Sequence, residues 1–124
     1  MLVSVKERYA LRIAAEIAKR SKEKPISLRV VANYCGVSLK YLEQIVIYLR
    51  RANILDSTRG ATGGYKLARL AHDITAGDIL RAVENAFDEL KDDESRFWMG
   101  YGKALNKYLD SVTLEDLIKR NDKL

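Results

Sequence analysis

Cys35-Gly36-Val37-Ser38 constrains the fold more than any other stretch of this chain. Gly36 stands where a helical run must end and the backbone must turn through φ > 0, a conformation glycine adopts at little cost. Ser38 then offers its hydroxyl to an otherwise unpaired amide in the first turn of a new helix. Upstream, Ser27 caps a brief helix over Leu28–Tyr34, with Leu28, Val31 and Ala32 as its apolar side. Downstream, residues 38–51 place Leu42, Ile45 and Leu49 at i, i+3 and i+7, facing a core. Lys40, Glu43, Gln44 and Ile47 share the opposite face. Two capped helices around a short glycine turn, the second polar on its outer side, form a helix-turn-helix pattern.

That outer face has the chemistry of a DNA major groove. Lysine reaches phosphate or guanine, glutamate accepts from a cytosine amino group, and glutamine pairs with adenine. Arg50 and Arg51 load the helix end with positive charge, which suits both the helix dipole and a phosphate backbone. Ser38, Lys40, Tyr41, Glu43, Gln44, Arg50 and Arg51 are therefore candidate DNA contacts. Taken alone, the stretch also reads as an ordinary amphipathic surface helix. The segment C-terminal to it favours DNA. Residues 54–57 and 65–68 read as two short strands joined by Arg59-Gly60-Ala61-Thr62-Gly63-Gly64. This is a β-hairpin, the wing of a winged helix. Arg59 at its tip suits a narrow minor groove, and Gly60, Thr62, Gly63 and Gly64 join the candidate contacts. Lys66 after a glycine-rich loop does not make a P-loop, because Tyr65 separates Gly64 from Lys66 and Leu67 comes after it.

The rest of the chain reads as helices. Residues 5–20 repeat Val5, Tyr9, Ile13 and Ile17 on one face, with Ala10, Ala14 and Ala18 beside them. Pro25 marks a break, and Ile26 fits a short strand. Thr75 caps a helix over 76–84 with Ile79, Leu80 and Val83 buried. Residues 84–94 hold six acids against one lysine and read as an exposed linker. A longer helix over 95–109 carries the stripe Phe97, Trp98, Tyr101, Leu105, Tyr108 and Leu109. Gly100 and Gly102 each cost such a helix roughly 1 kcal/mol, so it needs outside packing. A second copy of the chain is the most economical partner, and packing onto its own domain is the alternative. Thr113 caps a last short helix. The expected organisation is mainly α with a small β-hairpin. A winged helix-turn-helix DNA-binding domain spans 1–75, and linker and dimerisation helices span 76–124.

Charge agrees with this division. Residues 1–69 hold 14 Lys/Arg and 5 Asp/Glu, whereas residues 70–124 hold 8 and 12. A basic first half marks an anion-binding module joined to something else. At 124 residues the chain is one domain, or one with a small appendage. It has no apolar run near the roughly 18 residues of a membrane span. Charge appears too early in its N-terminus for a signal peptide. A single cysteine excludes an internal disulfide framework and fits a reducing cytoplasm.

Arg8-Tyr9-Ala10-Leu11, Tyr41-Leu42-Glu43-Gln44, Arg59-Gly60-x-x-Gly63-Gly64-Tyr65, Ile74-Thr75-Ala76-Gly77-Asp78-Ile79 and Leu109-Asp110-Ser111-Val112-Thr113-Leu114 together resemble the bacterial Rrf-type repressors. That family includes IscR, NsrR and CymR. The resemblance covers nearly the whole chain in order and spacing. It implies a dimeric winged-helix DNA-binding protein whose long C-terminal helix crosses to its partner. It also implies that Glu43 and Gln44 face bases and that Arg59 reaches the minor groove. Lys40 departs from it, falling where such proteins often carry a smaller polar residue. Cluster-binding members carry three cysteines between the fourth helix and the dimer helix, but residues 84–97 contain none here. The chain therefore resembles the cluster-free, CymR-like branch, with no cofactor, and that branch senses metabolic state through a partner protein or a small molecule.

Two readings are open for Cys35. Near the start of a positive helix its thiol can have a lowered pKa and respond to oxidants; in a turn it can equally be a small buried hydrophobe. His72 reads as a surface loop residue. A single His excludes a two-His metal site, and no motif sets Cys35, His72 or the carboxylates in a catalytic arrangement, so an enzyme is not expected. The expected function is a sequence-specific repressor acting as a homodimer on an operator. The rival is a winged-helix protein-interaction module without specific DNA binding.

Overall fold

The computed structural model describes residues 3–84, 94–120 and 124. Helix α1 spans Val5–Arg20, α2 Leu28–Cys35 and α3 Leu39–Arg51; strands β1 and β2 span Leu55–Thr58 and Gly64–Leu67; α4 spans Ala76–Val83, α5 Arg96–Ser111 and α6 Leu114–Arg120. A short 3-10 turn, Ala71–Asp73, precedes α4. Among the described residues no helix is long and apolar enough to cross a membrane. The expected linker lies outside the described residues except at its ends, Glu84 and Glu94.

The first three helices start as serine caps dictate. Ser4, Ser27 and Ser38 accept hydrogen bonds from the amides of Glu7, Val30 and Tyr41 at 3.1, 3.3 and 3.1 Å. Between α2 and α3, Gly36 takes φ 67°, the left-handed turn its position requires. Val5 is a correction: it lies on the repeating face of α1 but is 64% exposed, because the first turn extends past the core. Glu7 is buried instead. Its carboxylate accepts from the Ser4 amide at 3.0 Å, closing a capping box. The Ser-x-x-Glu spacing is a known signature of that box.

Ile13 and Ile17 of α1, Val31 of α2, and Leu42, Ile45 and Leu49 of α3 form one core with Ile54, Leu55, Ile74, Ile79 and Leu114. Each fully buried Leu or Ile contributes about 1.5–3 kcal/mol. Val46 is buried as well, widening the core face of α3 beyond its three-residue repeat. Ile79 is on α4 and Leu114 on α6, and α4 packs against both α1 and α3. The expected division at residue 75 is therefore not a break in packing, and α4 and α6 complete the core of the winged helix. Main-chain bonds at 2.8 Å join Ala76 to Val112 and Leu114 to Ile74, holding the starts of α4 and α6 side by side. Thr75 and Thr113 cap these two helices, paired with Asp78 and Asp116.

The hairpin is antiparallel, pairing Leu55 with Leu67 and Thr58 with Gly64. Both strands differ by one residue from the expected ranges. Ile54 is fully buried under the end of α3, and its amide is taken by the Leu49 carbonyl at 2.9 Å, so the strand starts at Leu55. At the other end Gly64 already pairs. Ile26 does act as a third, one-residue strand, exchanging bonds of 2.9 and 2.8 Å with Tyr65.

Candidate nucleic-acid interface

Helix α3 buries Leu42, Ile45, Val46 and Leu49, which turns the residues between them outward. Lys40, Glu43, Gln44 and Ile47 are all exposed on that side. None of Lys40, Glu43 and Gln44 is bonded to another residue among those described, so each keeps its donors or acceptors for a ligand. Arg51, three turns beyond Lys40, returns to the same face. Arg50 is also exposed but lies about 100° round the helix from it. Two expected contacts serve the fold first. The Ser38 hydroxyl is engaged by the Tyr41 amide. Tyr41 is half-buried, its ring edge-on to Tyr9 with centroids 5.8 Å apart, and it joins α3 to α1.

Lys6 is an addition to the expected contacts. Its ammonium sits 4.3 Å from the Tyr48 ring centroid, within cation–π range. It borders a shallow groove of about 290 Å³ with Gln44, Ile47, Tyr48 and Arg51. Only the crossing of α1 over α3 brings Lys6 there, and no sequence spacing signals it.

In the wing, Arg59, Gly60 and Thr62 are exposed, while Gly63 and Gly64 are partly covered. The last two have a structural task. A Cβ on Gly63 would collide with the Thr58 carbonyl, and one on Gly64 with the Ile26 backbone. Their lack of a side chain closes the hairpin and lets it lie against residue 26.

Helix α5 projects a different surface. Phe97, Trp98, Tyr101 and Tyr108 are exposed, whereas Leu105 and Leu109 are half-buried. Phe97 and Trp98 meet edge-on at 4.8 Å, as do Trp98 and Tyr101 at 5.6 Å. The opposite side of α5 docks on α4 through polar groups: Arg81 donates to Asn106 at 2.8 Å and pairs with Asp110. Gly77 leaves room for that pair, since a Cβ there would strike both side chains.

Cys35 is 1% exposed in the main core. Burial pushes its thiol above the ordinary range, against a smaller downward pull from Arg12. That is the opposite of an activated thiol, and it favours the packing role of the two readings. His72 is exposed, as expected, in the 3-10 turn beside Asp73.

Residues 3–120 match the Rrf2 family, described as "Iron-dependent Transcriptional regulator". The chain is 42% identical to the HTH-type transcriptional regulator CymR of Bacillus subtilis, over 98% of this chain and 93% of that protein. It superposes on the structure of B. subtilis CymR, the global cysteine regulator, with a TM-score of 0.85, 41% identity and coverage of 98% and 99%. IscR of T. potens gives a TM-score of 0.83, 39% identity and coverage of 98% and 89%. The chain belongs to the Rrf2 family. It is a winged-helix, DNA-binding transcriptional regulator.

The family description names iron, and one form in which proteins hold iron is a thiolate-ligated iron–sulfur cluster. Protein-held iron–sulfur clusters take several cysteine thiolates, usually four protein ligands in all. The chain has one cysteine and one histidine in total. The cysteine is sealed in the core and the histidine lies on the surface. Among the described residues no group of three or more His, Cys, Asp or Glu can hold a metal ion. Residues 85–93 add neither Cys nor His. The side chains present do not fit a cluster.

Proposed function

We propose that this Rrf2 protein is a cytoplasmic homodimeric repressor that reads a pseudo-palindromic operator without an iron–sulfur cluster. The observation carrying the DNA reading is the outer face of α3. Lys40, Glu43, Gln44 and Arg51 stand exposed on one side of a helix whose other side is locked in the core, and the Arg59 wing comes directly after it. The exposed aromatic side of α5 supports a second copy of the chain, because its polar side is already engaged with α4. Two α3 helices related by a two-fold axis meet half-sites about one helical turn, ~10 bp, or a multiple of it apart.

Glu43 only accepts hydrogen bonds, so it favours cytosine edges and repels misplaced acceptors. Glu43→Ala should relax discrimination at one position per half-site and raise non-specific affinity. Arg59→Ala should weaken binding most at A·T-rich flanks. It should flatten the slope of log affinity against log salt by about one unit per site lost. Both variants are to be titrated on operator and scrambled DNA over a salt series. Unchanged base preference in the first, with unchanged affinity and slope in the second, removes residues 38–66 from the DNA-reading surface.

Protein purified without oxygen should be colourless and free of stoichiometric iron. A visible charge-transfer band accompanied by bound iron and sulfide overturns the cluster-free assignment.

A further inference from the structure

A cleft of about 610 Å³ opens between the C-terminal turn of α1, the end of β2 and α6. Its volume lies within the roughly 300–1,000 Å³ of small-ligand pockets. No residue of α3 lines it. Its apolar lining includes Ala18, Leu67, Ala71 and Ile118. Its charged lining is Lys22, Lys66, Arg69 and Lys119 against a single carboxylate, Glu115.

These cations are not equivalent. Lys119 and Glu115 pair with each other at 3.5 Å. Arg69 donates to the carbonyls of Asn53 at 3.2 Å and Asp73 at 3.1 Å and faces Asp78 at 3.6 Å. Lys22 and Lys66 are bonded to nothing among the described residues, although Asp56 is the cross-strand neighbour of Lys66. Uncommitted lysines among the lining of a partly apolar cleft suit a small anion with a short hydrocarbon body.

We propose that this cleft binds a small aliphatic carboxylate and that Arg69 transmits its occupancy to α3. Arg69 both lines the cleft and clamps Asn53, two residues past the C-terminus of α3. Asn53 holds φ 59°, a left-handed conformation unusual outside glycine. A carboxylate offers a guanidinium a bidentate, charge-paired acceptor that a neutral carbonyl does not. Bound in the cleft, it draws Arg69 from Asn53 and loosens the junction between α3 and the wing. The link to operator affinity rests on α3 being the reading helix, and couplings of this kind change affinity by about 5–150-fold.

The test uses the full chain without DNA, so its outcome is independent of whether α3 reads an operator. Hexanoate is titrated while backbone amide shifts are followed by NMR, with hexan-1-ol as the uncharged control. Saturable shifts are expected at Ala18, Leu67, Ala71 and Ile118, together with Asn53, and binding of hexan-1-ol should be at least roughly tenfold weaker. The double variant Lys22→Glu/Lys66→Glu should lose hexanoate affinity by a similar factor while keeping the thermal transition and hexan-1-ol affinity of the parent. Non-saturating shifts, equal binding of acid and alcohol, or shifts confined to the α5 aromatics overturn the site. Cleft shifts with a silent Asn53 amide overturn the Arg69 relay.

Discussion

Trp98→Asp should turn a dimer into monomers and weaken operator binding in the same step. The Trp98 ring is 48% exposed and stands between Phe97 and Tyr101 at the centre of the aromatic cluster on α5. It belongs to neither apolar core, so its loss leaves the winged helix intact. Removing a central interface tryptophan costs about 2 kcal/mol or more. An unpaired carboxylate in the same desolvated place adds a comparable penalty. A combined cost on the order of 4 kcal/mol raises the dimer dissociation constant roughly a thousandfold. Operator affinity should fall with it, because the second half-site is no longer held at high local concentration. Sedimentation at micromolar concentration, run beside circular dichroism, checks both the state and the fold. Wild-type protein sedimenting as a monomer there would show that the aromatic side of α5 has another use.

Gly64→Val should detach the wing from the body of the domain. A side chain at this position meets the Ile26 carbonyl and the Ser27 amide nitrogen, all backbone, which cannot rotate away. The clash falls on the two Ile26–Tyr65 hydrogen bonds. Each such bond is worth about 0.5–1.5 kcal/mol, and the strained backbone adds about 1–3 kcal/mol. A total near 3 kcal/mol lowers the melting temperature by on the order of 10 °C in a domain of this size. The wing then loses its fixed relation to α3, so operator affinity should drop beyond the loss seen for Arg59→Ala. Calorimetry and the salt-series titration report the two effects separately. A Gly64→Val protein with parental melting temperature and affinity refutes the anchoring role of the Ile26 bridge.

Much of the fold is legible locally. Ser27, Gly36 and Ser38 specify helix, turn and helix because each acts on its own neighbours: a hydroxyl three residues from an amide, and a backbone free to take positive φ. The 3.6-residue repeat of α3 does the same for its face, which is why the outward set Lys40, Glu43, Gln44 and Ile47 can be read along the chain. The shift of both strands is less legible, since Ile54 is withdrawn from the hairpin by burial beneath α3. Packing runs across residue 75 for a related reason. Ile79 and Leu114 are apolar residues like many others, and nothing local says that they enter the core of α1 and α3.

The candidate contacts divide along the same line. Charge and hydrogen-bonding capacity at Glu43, Gln44 and Arg59 are properties of the residues themselves. Tyr41, Gly63 and Gly64 carry the same expectation from sequence, but their neighbours in space engage them in packing and close backbone approach. Lys6, the Arg81–Asp110 pair and the cleft between α1, β2 and α6 are invisible along the chain, because each joins segments far apart in sequence. Local spacing and composition were enough for the helix-turn-helix, the wing, the outward polar face of α3 and the scarcity of thiolates. Three features needed the packed chain: α4 and α6 completing the winged-helix core, Cys35 sealed inside it, and Arg69 standing between a cleft and the end of α3. Those depend on which surfaces bury one another, and no window along the sequence contains both surfaces.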